Sequence, residues 1–277
     1  MSEADSIKRM KLYRHPERIY NDLRSAGLKE SGLLKERDVS CFDQYHYFGT
    51  DALDEAIDLL KIDSKKRIIE IGSGIGGCAR YLAEKTGCHL TAVEIQPDLD
   101  AIASYLSSRC SLSGFIRHVC ADILDFRKEG DGYDIAVSWL SFLHIPDRQA
   151  LLKKCYSLLK PGGQIFIEDY YKRNKFTKEE ADVLREDVYC PYLPASEEYK
   201  EQLAGNGFTD IEMSDKTECW KNFVKERMRQ FGESRDRQVK VHGIDTVNDL
   251  EDFYKKVSRL FEGNNLGGLR ISAKKQP

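Results

Sequence analysis

The sequence predicts an α/β protein: a Rossmann-like, doubly wound sheet carrying a helical N-terminal lid and a helical insertion. Two observations lead there. Short β-branched runs alternate with helix-patterned segments from Arg67 to Asp169, the pattern of a parallel sheet covered by helices on both faces. The first run, Arg67-Ile68-Ile69-Glu70-Ile71, leads straight into Gly72-Ser73-Gly74-Ile75-Gly76-Gly77 and then a helix. Glycines at such a strand–loop–helix turn allow positive φ and a close approach of backbone to a ligand. The length of 277 residues is enough for one substantial core with a cap.

The elements follow in order. Residues 1–61 read as a helical lid, with one helix entered at Pro16 and ended by Gly27 and a second from Asp51 to Leu60. Between them, Cys41–Thr50 holds four aromatic residues and a histidine, unusual for a connection and suited to covering something apolar or flat. Residues 62–277 form the main domain. Its strands are expected at Arg67–Ile71, His89–Ile95, Phe115–Cys120, Tyr133–Trp139 and Gln164–Asp169, with helices at Cys78–Thr86, Pro97–Ser108 and Arg148–Leu159. Beyond Tyr171 the alternation breaks. Helices Lys178–Val188 and Ser196–Ala204 make an insertion over about 172–205, followed by a strand at Phe208–Ser214, helical segments at 217–231 and 246–261, and a last strand at Leu269–Ala273.

Ligands of such sheets bind beyond the carboxyl ends of the strands. Three acidic residues stand there: Glu70 before the glycine loop, Glu94 (followed by Ile95) ending the second strand, and Asp122 (followed by Ile123) after the third. Negative charge so near the loop disfavours a pyrophosphate and suits a cationic nucleoside without phosphates, such as S-adenosylmethionine. The stretch from Arg67 to Tyr171 resembles the class I S-adenosylmethionine-dependent methyltransferases. Glu70-Ile71-Gly72-Ser73-Gly74 is similar to their first motif, Glu94 to their ribose ligand, Asp122 and Ile123 to their adenine-edge pair, and Leu159–Ile167 to their turn into strand five. Ser138, near the end of the fourth strand, joins the cofactor side. The resemblance implies S-adenosyl-L-methionine as methyl donor and a final antiparallel strand completing a seven-stranded sheet. A dinucleotide-binding dehydrogenase is the competing reading of the glycine loop alone.

Composition narrows the partners. The net charge of −3 gives no global attraction for nucleic acid or an anionic membrane. No apolar run approaches the ~20 residues that span a bilayer, and the acidic start, Met1–Asp5, does not read as a secretory leader. Eight scattered cysteines without a Cys-x-x-Cys pair read as reduced thiols of a cytoplasmic protein, with no metal site expected. Two basic stretches, Lys8–Arg24 and Lys221–Lys240, read as solvated helix faces; Lys225, Arg227 and Arg229 alternate with Phe223, Val224, Met228 and Phe231 at helical spacing. Monomer and homodimer both stay open.

The acceptor side is drawn from the ends of strands four and five and the lid. His144, in Leu143-His144-Ile145, is the candidate base because imidazole titrates near neutrality; His46 is the other histidine to test. Tyr45, Tyr47, Trp139, Tyr170 and Tyr189 offer faces and hydroxyls for an amine or a flat acceptor. Several pieces resemble the phosphoethanolamine (phosphobase) N-methyltransferases: the glycine loop, Leu143-His144-Ile145, Glu168-Asp169-Tyr170 and the tail Gly267–Lys275. That resemblance implies amine methylation of a small-molecule acceptor, with His144 and a lid tyrosine, matched to Tyr45, taking the amine proton. The chain departs where that family carries an acidic residue shortly before its histidine, since Leu140 stands here. The family's phosphate-binding cations have only Arg185 and Lys255 as candidates. Competing readings are C- or O-methylation of a lipid, sterol or quinone, and a cofactor-binding protein without transfer.

Overall fold

A computed structural model describes residues 7, 9–29, 31–128 and 130–277. The acidic start Met1–Asp5 and Lys8 of the first basic stretch lie outside the described residues. The seven strands are β1 (Arg67–Ile71), β2 (His89–Glu94), β3 (Ile116–Cys120), β4 (Tyr133–Trp139), β5 (Leu159–Lys172), β6 (Phe208–Asp215) and β7 (Leu266–Lys275). They lie side by side in the order β3-β2-β1-β4-β5-β7-β6. β1 to β5 pair in parallel, and β7 runs antiparallel between β5 and β6. The expected doubly wound sheet, with its reversed last strand, is what the chain forms.

Before the sheet come α1 (Arg18–Ser25), α2 (Glu36–Asp43) and α3 (Gly49–Leu60). Within it, α4 (Gly77–Thr86) follows β1, α5 (Pro97–Arg109) follows β2, and α6 (Arg148–Leu158) leads into β5. α4 is bracketed by Gly76 at φ 77 and Gly87 at φ 71, left-handed positions that cost L-residues about 1–2 kcal/mol. Pro97 opens α5, and the Asp147 side chain caps α6 by accepting from the Ala150 amide at 2.9 Å. α7 (Lys178–Glu186) begins with a reciprocal Thr177–Glu180 capping box, and α8 (Ser196–Gly205) precedes β6. Three helices, α9 (Thr217–Glu233), α10 (Arg235–His242) and α11 (Ile244–Glu262), fill the connection from β6 to β7.

Each sheet face buries its own core. Ile68 and Leu90 meet Leu53, Leu82 and Leu106 from the lid and α3–α5 side, while Ile69 and Ile165 meet Leu151, Cys155 and Leu203 on the other. A third cluster joins Tyr170 at the end of β5 to Trp220, Phe253 and Phe261 from α9 and α11. Each fully buried aliphatic side chain stabilises by roughly 1.5–3 kcal/mol, so this last cluster fastens the β6–β7 helices over the carboxyl edge of the sheet.

Several boundaries differ from expectation. The aromatic stretch Cys41–Thr50 is not one connection: Cys41–Asp43 end α2, and Gly49 and Thr50 begin α3. α2 lacks a strong apolar stripe, so periodicity alone passes over it. Residues 235–242 are helical because α10 packs against α11 rather than following its own hydrophobic pattern. β5 and β7 outrun their apolar centres because they pair with each other from Gln164↔Lys274 to Lys172↔Leu266. No helix of the described residues is long and apolar enough to cross a membrane.

Candidate active site

The carboxyl ends of β1, β2 and β4 frame a crevice. The glycine loop is bent over the end of β2: the Gly72 and Ser73 amides both donate to the Val93 carbonyl, at 2.9 and 3.0 Å. Glu94 then staples the loop from the far side. Its Oε2 accepts from the Gly74 amide at 2.8 Å and its Oε1 from the Gln96 amide at 2.9 Å. Each oxygen keeps a further lone pair for a ligand hydroxyl. Burial pushes the Glu94 carboxyl up to about 7, against the pull of those amides. Across the crevice floor, Asp122 accepts from the Leu124 amide at 2.8 Å through Oδ1, and Ile95 and Ile123 supply apolar walls.

Two loop glycines have different tasks. A Cβ on Gly72 would lie 2.3 Å from the Ser141 Cβ, whereas one on Gly74 would meet nothing within 4 Å and would point into open space. Gly72→Ala is therefore expected to destabilise the fold by about 2 kcal/mol or more, from overpacking and positive φ together. Gly74→Ala should cost about 1–2 kcal/mol and act mainly on ligand affinity. Urea midpoints and calorimetry on both variants check this contrast, which fails if the two lose stability equally.

Beside the crevice lies a recess between the loop and the lid. Glu70, 2% exposed, and Ser73 face it, and neither Glu70 Oε2 nor Ser73 Oγ has a hydrogen-bond partner among the described residues. Burial raises the Glu70 carboxyl to about 8. A buried acceptor oxygen left without a partner costs about 1–3 kcal/mol, and a ligand ammonium or other donor in the recess relieves it. The adjoining crevice offers Glu94 for a ribose diol and Asp122 for an adenine edge. These residues fit S-adenosylmethionine.

An inner chamber adjoins the crevice on the lid side. Tyr13 and His144 line both cavities. His144 ends a single 3-10 turn, Phe142–His144, anchored by the fully buried Asp169. The Leu143 amide donates to Asp169 Oδ1 at 3.1 Å, while Arg148 and the Tyr199 hydroxyl donate to Oδ2 at 2.8 and 3.2 Å. His144 Nδ1 lies 2.9 Å from the Tyr189 carbonyl. A carbonyl only accepts, so Nδ1 carries the proton and Nε2 the lone pair. Burial, helped by the Arg148 charge, lowers His144 to about 4, so the ring is neutral at physiological pH.

Not every expected residue lands where the sequence placed it. Ser138 is fully buried, its hydroxyl spent on the Ile71 carbonyl (3.1 Å) and on Ser141 (2.6 Å); Ser141 is the serine that faces the crevice. Trp139 lines the recess by the glycine loop rather than the inner chamber, because strand alternation turns it to the lid face. Tyr189 supplies its carbonyl to His144, and its ring is not part of the chamber lining. Tyr45 does line the chamber, under the Arg18 guanidinium at 4.6 Å, but the ring against His144 is Tyr13, at 6.2 Å between centroids. Tyr47 and Tyr170 share a hydroxyl–hydroxyl bond at the chamber wall. His46 has both nitrogens engaged, with the Tyr47 carbonyl at 3.0 Å and Gln44 at 2.8 Å, and is not free to act as a base. Arg185 and Lys255 sit outside, paired to Asp182, Glu186 and Glu251.

Arg227, counted from sequence with the solvated charges of its helix, instead reaches the chamber. Its guanidinium lies 4.9 Å from the Tyr47 ring centroid, 4.8 Å from Phe223 and 5.4 Å from Tyr254. From the expected insertion at 172–205, Val188 reaches the chamber; α9 and α11 supply Val224, Arg227, Phe253, Tyr254 and Val257.

Residues 43–213, more than half of the chain, match the family described as methyltransferase domain (Methyltransf_23). The chain belongs to this methyltransferase family. Among similar proteins, phosphoethanolamine N-methyltransferase 1 of Zea mays is 25% identical over 248 residues, covering 89% of this chain and 49% of the maize protein. The phosphoethanolamine N-methyltransferase of Plasmodium falciparum is 24% identical over 212 residues, 75% of this chain and 78% of its own length. Phosphoethanolamine N-methyltransferase 2 of Haemonchus contortus, solved with phosphomonomethylethanolamine and S-adenosylhomocysteine, superposes with a TM-score of 0.84 at 20% identity. That superposition covers 100% of this chain and 61% of the other, and the likeness is one of fold. The methyltransferase chain spans about half the length of the plant relatives it matches.

Proposed function

We propose that the chain transfers the methyl group of S-adenosylmethionine to a nitrogen of a small amine acceptor, phosphoethanolamine-like or another small amine. The observation that carries this reading is the shared wall: His144 and Tyr13 border both the crevice that fits the donor and the chamber beyond it. When bound, the donor supplies an electrophilic methyl on a sulfonium. The chain's task is then to align the nucleophile with it and to exclude water. Glu94 receives the ribose hydroxyls, Asp122 the adenine edge, and Glu70 with Ser73 the methionine ammonium. His144 Nε2, with Tyr13 beside it and Tyr45 behind, orients the acceptor and takes the proton that a methylated N–H gives up. Tyr47 and Tyr170 line the chamber's far wall. The eight unpaired cysteines support a reducing, cytoplasmic setting. A lipid, sterol or quinone acceptor is the second reading, favoured by the aliphatic lining from Leu143, Val188 and Val257.

Glu94 gives the direct test. Glu94→Ala removes the ribose acceptor and the Gly74 staple, and a loss of S-adenosylmethionine affinity of at least ~30-fold is expected in calorimetry. Wild-type affinity should also depend on pH. The carboxylate accepts best when ionised; with the carboxyl raised to about 7, affinity should rise up to ~10-fold between pH 6 and pH 8. Intact affinity in the variant would remove the donor from this crevice. Release of S-adenosylhomocysteine with a panel of amines, phosphoamines, sterols and quinones separates the two acceptor readings.

A further inference from the structure

The inner chamber carries a charge pattern that says more about the acceptor, on the reading that this chamber is the acceptor site. Among the described residues, Arg227 is the one permanent cation in its lining, and no carboxylate lines it. Its neighbour Arg229 is neutralised by Glu226 and Glu233, whereas Arg227 has only aromatic faces around it and no carboxylate partner among the described residues. A guanidinium held by three rings is oriented before any ligand arrives, and it presents a planar fork to a carboxylate or phosphate.

The remainder of the lining excludes a second positive charge. Leu140 and Leu143 flank the approach to His144, with no anion to balance an ammonium. His144 and the Tyr13 hydroxyl are the polar groups at the donor side, and both are neutral there. Burial holds the imidazole near 4, so the ring offers its Nε2 lone pair rather than a charge. An alkylammonium carrying no anion of its own would enter a chamber already positive. The Tyr45, Tyr47, Tyr170, Phe253 and Tyr254 rings that line the chamber suit a flat body.

We propose that the acceptor is an aromatic anion: a ring bearing a carboxylate or phosphate that sits on Arg227, with its reacting atom uncharged beside Tyr13 and His144. In the transfer, the lone pair of that atom forms the bond to the methyl carbon as the carbon–sulfur bond breaks, its electron pair going to sulfur. An acceptor N–H passes its proton to His144 Nε2; a ring nitrogen without a proton has none to lose.

Calorimetry on the whole chain, with and without S-adenosylhomocysteine, decides this using benzoate, phenyl phosphate, benzamide, benzylammonium and phosphoethanolamine as probes. Benzoate or phenyl phosphate is expected to bind at least ~10-fold more tightly than benzamide, benzylammonium and phosphoethanolamine. Arg227→Met should abolish that preference and Arg227→Lys should keep part of it. Benzoate against phenyl phosphate identifies which acid is read. Equal binding of benzoate and benzamide, a preference for benzylammonium or phosphoethanolamine, no binding of either aromatic anion, or an undiminished preference in Arg227→Met overturns the proposal. Should Arg227→Met not fold, the wild-type ranking alone decides. A failure of the donor reading shows separately, as absent S-adenosylhomocysteine binding, and the probe ranking on the free chain still stands or falls by itself.

Discussion

Replacing His144 with alanine is expected to lower kcat by about 10²–10³-fold while leaving the dissociation constant of S-adenosylmethionine within about twofold. The asymmetry follows from position. The donor's polar groups are assigned to Glu70, Glu94 and Asp122, whereas His144 touches the crevice only at the wall it shares with the chamber. Asp169 and the Tyr189 carbonyl hold the ring so that Nε2 keeps its lone pair. The same burial sets the pH behaviour. A histidine lowered to about 4 is neutral above that value, so the His144 contribution to turnover should persist down to pH ~5 and be lost only as pH approaches 4. Initial rates of S-adenosylhomocysteine release across pH 4–8 check both statements. Unchanged turnover in the variant would end the role assigned to His144.

Asp43→Ala is expected to destabilise the chain by about 3–5 kcal/mol, the cost of stranding a buried charge. The Asp43 carboxylate accepts from Arg80 at 2.8 Å, and both side chains are fully shielded from solvent. Arg80 also donates to the Ile75 carbonyl at 2.6 Å and the Ala103 carbonyl at 3.3 Å, so it ties the lid helix α2 to the glycine loop and to α5 at once. Alanine at 43 leaves the guanidinium without its counter-charge in the core. The double variant Asp43→Ala/Arg80→Met removes both charges and should recover a substantial part of the loss. Urea midpoints of the singles and the double test this; a single variant as stable as wild type would show that the pair is not what holds the lid down.

How much of this was readable from residues alone divides by physical cause. The alternation of strands and helices and the position of the donor crevice were legible because they rest on local signals: β-branched runs, a glycine loop between strand and helix, and carboxylates at strand ends. Glu70, Glu94 and Asp122 fall where the spacing puts them. The chamber was less legible because it is assembled from distant stretches of irregular chain and from helix faces chosen by tertiary packing. Tyr13 lies in a segment without periodicity, held in place by Arg18 donating to the Leu12 carbonyl at 2.7 Å and by Lys11 pairing with Asp252 at 2.6 Å on α11. Nothing in the pattern around Tyr13 announces a site. Arg227 alternates with exposed charges on α9, and only the docking of that helix on Tyr47 and Tyr254 distinguishes it. Ser138 was misplaced for a simpler reason: its neighbour three residues on has the same hydroxyl and stands on the exposed side of the turn.

The reversed strand β7 has a bearing on how such a protein can change. Because β7 inserts between β5 and β6, the chain must leave the sheet after β6 and return, and the 50 residues between Asp215 and Leu266 form a detachable clause in the sequence. That clause carries Val224, Arg227, Phe253, Tyr254 and Val257, while the carboxylates assigned above to the donor, Glu70, Glu94 and Asp122, all precede Ile123. The later passage thus supplies one wall of the chamber, Arg227 included, and Tyr13, Tyr45, Tyr47 and His144 complete it from elsewhere in the chain. Drift in the later passage can re-letter what is methylated and leave the methyl source unread.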